Sequence, residues 1–144
     1  MKKTVLFWIA LLFTATTAFA GTVPDENGAK ELSDQIMAKV AAGDLAGAFS
    51  SMKLHVPISA TEIDSVALQS KAQREQYGQR YGASTGFEFI DSKKVGEHLL
   101  RLRYIEMTDK HALPWVFYFY KSADGWLLNS FRWNDEFQQL FTDN

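Results

Sequence analysis

The hydrophobic period of this chain changes once, and that change constrains the fold more than any other feature of the sequence. Up to about residue 82, apolar side chains recur every three to four residues, as on one face of a helix. From Phe87 onward they alternate, as in half-buried strands. Helices followed by consecutive strands predict an α+β fold, in which N-terminal helices pack on the concave face of a curved, four-stranded antiparallel sheet.

Turn and capping residues divide the helical half into three segments. The first helix has its apolar face between Ala29 and Val40. Gly43 suits a left-handed helix end, and Asp44 suits the N-cap of a short second helix. The stretch Ser59 to Glu62 has the spacing of a capping box, which predicts a long third helix that Gly82 ends.

Four strands are predicted, at residues 86–92, 98–107, 114–121 and 126–133, and a short tail helix follows them. Asp-Gly in the last turn indicates a hairpin. Pairing Lys121 with Trp126, and Met107 with Leu113, sorts the side chains into two faces because side chains alternate along a strand. A register error of one residue in either hairpin would exchange partners between the faces.

The first predicted face is mostly apolar, and we expect the helices to pack on it. Its open end is the predicted site for a small apolar or amphipathic ligand, because ligand pockets combine apolar walls with a few polar groups. The residues of this predicted site are Tyr104, Glu106, Tyr118, Asn129 and Trp133.

The second predicted face mixes positive charges with large aromatic groups. Such a face is expected to be covered, most simply by a second copy of the chain in a homodimer. The alternative is a monomer in which arginine stems and rings shield one another. Without a dimer, this face is the best candidate for binding an anionic partner. The residues predicted for this interface are Arg101, Arg103, Trp115, Phe117, Phe119 and Arg132.

Glu106 also supports an enzymatic alternative. A carboxylate on an apolar face would have a raised pKa, as a general base needs, and nearby Tyr and Asn donors could stabilise an oxyanion. That combination is typical of an isomerase or lyase. The competing interpretation is that Glu106 lies at the end of its strand and is simply solvated.

Composition argues against several other classes of site. His55, His98 and His111 are scattered, whereas a zinc site needs three or four converging ligands, so we expect no metal. The sequence contains no cysteine, which excludes disulfides and thiol chemistry. No phosphate loop or dinucleotide fingerprint is present, so no cofactor is expected. A net charge of −2 argues against a nucleic-acid partner, which favours strongly basic domains.

The first 20 residues have the three parts of a signal peptide. Lys2 and Lys3 precede an apolar run from Val5 to Phe13, and the segment ends Ala18-Phe19-Ala20. That run is shorter than the roughly 20 apolar residues that a membrane-spanning helix needs. We therefore expect cleavage near Ala20 and no stable membrane anchor. The mature protein would be periplasmic or secreted, with a flexible start at residues 21–28 and one domain at residues 29–144.

From about Ala29 to Trp133 the chain resembles the nuclear-transport-factor-2-like superfamily, also called the cystatin-like α+β cone. The resemblance is carried by the long first helix, the step Ala42-Gly43-Asp44-Leu45 into a short helix, and the turn Asp124-Gly125-Trp126. It is closest to short exported members, which have no assigned function.

The resemblance implies a sheet wrapped around helices, a pocket at the wide end and, in many members, dimerisation through the sheet. Some members are isomerases or dehydratases, and many are non-catalytic ligand-binding or assembly domains. No catalytic motif of an enzymatic branch matches this sequence, so the fold alone lends no activity. We therefore expect a non-catalytic domain that binds a ligand or assists an envelope protein.

Overall fold

A computed structural model describes residues 21–142, in which three helices precede four strands. The predicted α+β fold is confirmed: the helices pack on one side of a curved antiparallel sheet with the strand order β1-β2-β3-β4. The elements are α1 (Glu26–Ala41), α2 (Leu45–Lys53), α3 (Ala60–Tyr81), β1 (Ser84–Val95), β2 (Leu99–Thr108), β3 (Ala112–Ser122), β4 (Gly125–Trp133) and a 3-10 helix, η1 (Phe137–Phe141).

The predicted signal peptide lies outside the described residues. Within residues 21–142, no helix has the length and apolar character that crossing a membrane requires. Residues 21–28, the predicted flexible start, include a β-bridge at Val23 and the first residues of α1. Glu26 already belongs to α1, and Val23 and Trp126 exchange backbone hydrogen bonds of 2.9 and 2.8 Å.

The predicted helix boundaries agree with the capping contacts. The side chain of Asp44 accepts a hydrogen bond from the backbone of Gly47 at the start of α2. Ser59 and Glu62 form a complete capping box at the start of α3. Gly43 has a φ of +79°, a left-handed conformation that glycine adopts without steric cost.

The register between β2 and β3 differs by one residue from the prediction. Met107 lies opposite Ala112 rather than Leu113, whereas the predicted pairing of Lys121 with Trp126 is confirmed. The cause is a tight reversal after Thr108, whose backbone N–H donates to the carbonyl of His111 at 2.9 Å. A shift of one residue moves every side chain of β3 to the opposite face.

The side chains of Trp115, Phe117 and Phe119 therefore face the helices, and the predicted mixture of these three rings with the arginines on one face is wrong. Trp115, Phe117 and Phe119 are buried in the core, opposite Tyr104, Leu102 and Leu100 respectively. The outer face receives Val116, Tyr118 and Tyr120 in their place.

A second irregularity interrupts the pairing of β3 with β4. Tyr118 lies opposite Ser130 and Phe119 lies opposite Leu128, so Asn129 is an extra, exposed residue in a bulge. The bulge lets both Leu128 and Phe131 contribute to the core although they are three positions apart. Strict alternation could not have placed both of them on one face.

The observed register predicts a large loss of stability on substitution of one aromatic residue of β3 and a small loss on substitution of another. Trp115 is completely buried, whereas 43% of Tyr120 is exposed. Trp115→Ala should lower the free energy of unfolding by about 3–5 kcal/mol, because it opens a large cavity. Tyr120→Ala should cost less than about 1 kcal/mol, as most exposed substitutions do. Urea denaturation of both variants measures the difference, and the reverse order of losses would contradict this register.

Candidate functional site

Glu106 lies at the inner face of β2 and is completely buried. Its Oε1 accepts a hydrogen bond from Nη2 of Arg74 on α3. Its Oε2 accepts one from Nε1 of Trp115 on β3 at 3.2 Å. The interpretation that Glu106 is solvated at a strand end is therefore wrong.

Two opposing influences act on the Glu106 carboxyl. Burial raises its pKa and is the larger influence, while the charge of Arg74 and the hydrogen bonds from Trp115 and Arg74 oppose the rise. The result is a buried ion pair in which one arginine offsets the desolvation of one carboxylate. Removal of either partner would leave a charge without its counterion.

Tyr104 lies on the same face of β2 but hydrogen-bonds elsewhere. Its hydroxyl donates to Oδ1 of Asp34 on α1 at 2.8 Å. Lys30, one turn earlier in α1, also donates to that carboxylate. Burial raises the pKa of Tyr104, with the hydrogen bond to Asp34 as the next cause. The tyrosine expected to assist Glu106 thus fastens α1 to the sheet.

The remaining residues of the predicted ligand site are divided between different parts of the sheet. Trp133 stacks on Trp115 with ring centres 5.3 Å apart and donates from Nε1 to Ser70 of α3 at 3.1 Å. Tyr118 lies on the outer face, and Asn129 is exposed in the bulge. The structure therefore does not bring the five predicted residues into one pocket.

A row of polar side chains on α3 holds that helix to the sheet and to the segment after β4. Besides Ser70 and Arg74, the row contains Tyr77 and Tyr81, whose hydroxyls donate to Asp135 at 3.1 and 2.8 Å. Their spacing of four, three and four residues places all four on one helical face. The hydrogen bond from Tyr81 is the main reason that the pKa of Asp135 is lowered.

The three arginines of the predicted interface share the outer face of the sheet. Arg101 and Arg103 are two positions apart on β2, and Arg132 follows across β3 on β4. Arg103 is buried and donates through Nε to Oδ1 of Asp91 at 2.8 Å and through Nη2 to Oδ2. The hydrogen bond from Arg103 is the main reason that the pKa of Asp91 is lowered.

Two adjoining clefts lie among these arginines. The first, which we call the arginine cleft, has a volume of about 270 Å³ and is lined by all three arginines, with Leu140 of the tail at its wall. The second, the apolar cleft, has a volume of about 390 Å³ and is lined by Val95, Leu99 and Tyr118 among others. Among the described residues that line these two clefts, none is acidic.

The histidines do not converge. Nδ1 of His55 lies 2.6 Å from the carbonyl oxygen of Gly21, and His111 stacks on Tyr81 with ring centres 4.1 Å apart. In the part of the chain that the structure describes, no cluster of three or more His, Asp or Glu side chains is arranged to hold a metal ion.

Comparisons of the chain with protein-family models, curated proteins and solved structures give no match. The relation to the nuclear-transport-factor-2-like superfamily therefore stays a prediction from the sequence.

The Glu106–Arg74 pair predicts a pH-dependent loss of stability in an Arg74→Met variant. At neutral pH the loss should be about 3–5 kcal/mol, because an ionised carboxylate stays buried without its cation. Without Arg74 the pKa of folded Glu106 rises further above that of the unfolded chain. The penalty is then complete above the folded pKa and shrinks as the pH falls through it toward the unfolded pKa.

Urea denaturation at neutral and at mildly acidic pH measures this effect. The matched control is Lys71→Met, which removes an exposed cation from the same helix and should change stability by about 0.5 kcal/mol or less at either pH. A loss in Arg74→Met that is the same at both pH values would contradict the role of the ion pair.

Proposed function

We propose that this chain is an exported, non-catalytic binding domain of the nuclear-transport-factor-2-like type, which recognises an anionic ligand through the outer face of its sheet. The observation that carries this proposal is the arginine cleft, because Arg101, Arg103 and Arg132 line one concave space. Arginine presents its donors in a planar fork that fits carboxylate and phosphate oxygens.

The distribution of charge supports a binding role. The whole chain has a net charge of −2. Lys93 and the three arginines line the two clefts, and Asp91 forms ion pairs with Arg101 and Arg103. Glu88, also on β1, lies opposite Ile105 and lines neither cleft. A concentrated positive field on an otherwise acidic protein attracts anions.

The interior of the fold gives less support to the other candidate functions. Glu106 has no solvent exposure and accepts hydrogen bonds from Arg74 and Trp115, whereas a general base must reach the proton that it removes. Tyr104, expected to act beside it, is hydrogen-bonded to Asp34. These contacts favour a structural role for both residues over an isomerase or lyase site.

A homodimer through the outer face is also less favoured. In a two-fold dimer the same patch meets itself. Arg101, Arg103 and Arg132 of one copy would then approach the same arginines of the other, and like charges brought together oppose association. An anionic ligand has no such penalty.

The proposal can be tested with two probes that share a chain and differ in the head. Octyl phosphate carries an anionic head and octyl glucoside an uncharged one, and both are used below their micelle-forming concentrations in isothermal titration calorimetry. We expect octyl phosphate to bind at least about tenfold more tightly, since a charge-assisted hydrogen bond contributes about 1.5–3 kcal/mol. Equal affinity for the two probes would contradict the proposal.

Arg132→Gln is the informative variant, because Arg132 is exposed and its substitution should leave the fold intact. It should lose most of the preference for the charged head, while the control Lys71→Gln on α3 should keep it. Light scattering under the same conditions reports the oligomeric state. A dimer that binds no octyl phosphate would contradict the proposal and favour the homodimer.

A further inference from the structure

Resting on the export that the proposed function includes, we infer that the C-terminal end of α2 is a binding site for the ammonium group that cleavage after Ala20 creates at Gly21. The backbone nitrogen of Gly21 donates a hydrogen bond to the carbonyl oxygen of Leu54 at 2.5 Å. Leu54 is the C-cap of α2, where the unpaired carbonyl groups of a helix carry a partial negative charge. Cleavage would therefore place a new positive charge at the end of the helix that favours one.

Gly21 is held from both sides of its backbone. Nδ1 of His55 lies 2.6 Å from the carbonyl oxygen of Gly21, which can only accept the hydrogen bond. Two residues later, Val23 and Trp126 exchange their backbone hydrogen bonds. The segment cannot turn away from α2 without breaking these contacts, so the nitrogen of Gly21 stays beside the Leu54 carbonyl.

The first residue left by cleavage also has the right size. A Cβ atom at position 21 would lie 3.1 Å from the carbonyl oxygen of Leu54, closer than most Cβ contacts. A side chain there would crowd the oxygen that accepts the hydrogen bond. Cleavage after Ala20 leaves glycine at this position, whereas cleavage one residue later would remove the nitrogen that Leu54 binds.

The charged side chains nearest in the chain have partners of their own. Lys53, which precedes Leu54, pairs with Asp64 of α3 at 2.5 Å. Asp25 accepts a hydrogen bond from the backbone of Gly28 at the start of α1. His55 is the titratable side chain that contacts Gly21 directly. The Leu54 carbonyl is thus the group that the ammonium meets.

Binding of the ammonium has a defined consequence for pH. A charge-assisted hydrogen bond is stronger than a neutral one, so the folded chain should hold the proton of the amino group more tightly than the unfolded chain. The pKa of the amino group would then be higher in the folded chain. Its contribution to stability is complete below the unfolded pKa and is lost as the pH rises through the folded pKa.

The first test uses the full chain, exported from a bacterial host. Mass spectrometry of the product should show Gly21 as the first residue. Proton NMR titration of the Gly21 α-protons should then give an amino pKa above the range of about 7.7–8.0 that is usual for this group. Another first residue, or a pKa within or below that range, would overturn the inference. Binding of octyl phosphate is a separate measurement, so the proposed anion site can fail without this result.

A second test moves the ammonium by one residue. A chain that begins at Ala20 keeps every described residue and the N–H of Gly21, but its charge lies one residue farther from Leu54. Near pH 7 the chain that begins at Gly21 should have an unfolding equilibrium constant about two- to fivefold smaller. The difference should vanish near pH 10, where the amino group is neutral. Equal constants at both pH values would overturn the inference.

A matched pair of histidine variants locates the site. His55→Ala removes the contact to the Gly21 carbonyl and should return the amino pKa to its usual range. His98→Ala, at an exposed histidine before β2, should leave that pKa raised. Circular dichroism confirms that both variants fold. The same amino pKa in both variants would overturn the placement of the N-terminus between Leu54 and His55.

Discussion

The tight turn between β2 and β3 determines on which side of the sheet each side chain of β3 lies. Thr108 and His111 close this turn with a backbone hydrogen bond, and the hydroxyl of Thr108 accepts a second one from the backbone of His111 at 3.0 Å. The turn is also held from outside. The backbone of Lys110 donates to the carbonyl of Tyr81, and the side chain of Asp109 accepts from the backbone of Ala83 at 3.0 Å. The end of α3 and the register of the sheet are thus fixed by one set of contacts.

This register places the contacts of Glu106 on the inner face of the sheet and the arginines on the outer face. On the inner face it places Trp115 beside Glu106, and α3, anchored at the same turn, brings Arg74 to the other carboxylate oxygen. On the outer face it leaves arginines separated by Val116 and Tyr118. A shift of one residue would place Trp115 and Phe117 among the guanidinium groups and would turn Val116 and Tyr118 toward the helices. The buried pair and the cationic face are therefore two results of the same constraint.

Local signals in the sequence were sufficient to predict the helices. They do not predict the register of the sheet, and the reason is physical. Asp44, Ser59 and Gly43 act on backbone groups a few residues away, so their roles are visible in the sequence. The turn at Asp109 and Lys110 lacks the glycine or asparagine that is typical of a two-residue hairpin. Its conformation depends on contacts with the end of α3. The bulge at Asn129 breaks the alternation on which the assignment of faces depends. Register therefore had to come from tertiary structure.

Part of the candidate site could likewise be predicted from the sequence, and part of it depends on tertiary structure. Arg101 and Arg103 share a face whatever strand lies beside them, because their spacing of two is a property of β2 alone. Their prediction as a cationic pair did not depend on the register. The position of Asp91 opposite Arg103 depends on a bulge in β1. No pattern in the sequence predicts that bulge. Because Arg103 keeps the pKa of Asp91 low, this carboxylate stays ionised below the usual range and holds the guanidinium in place. The fold thus contains one carboxylate bound by an arginine fork on the same face on which we propose that a ligand anion binds.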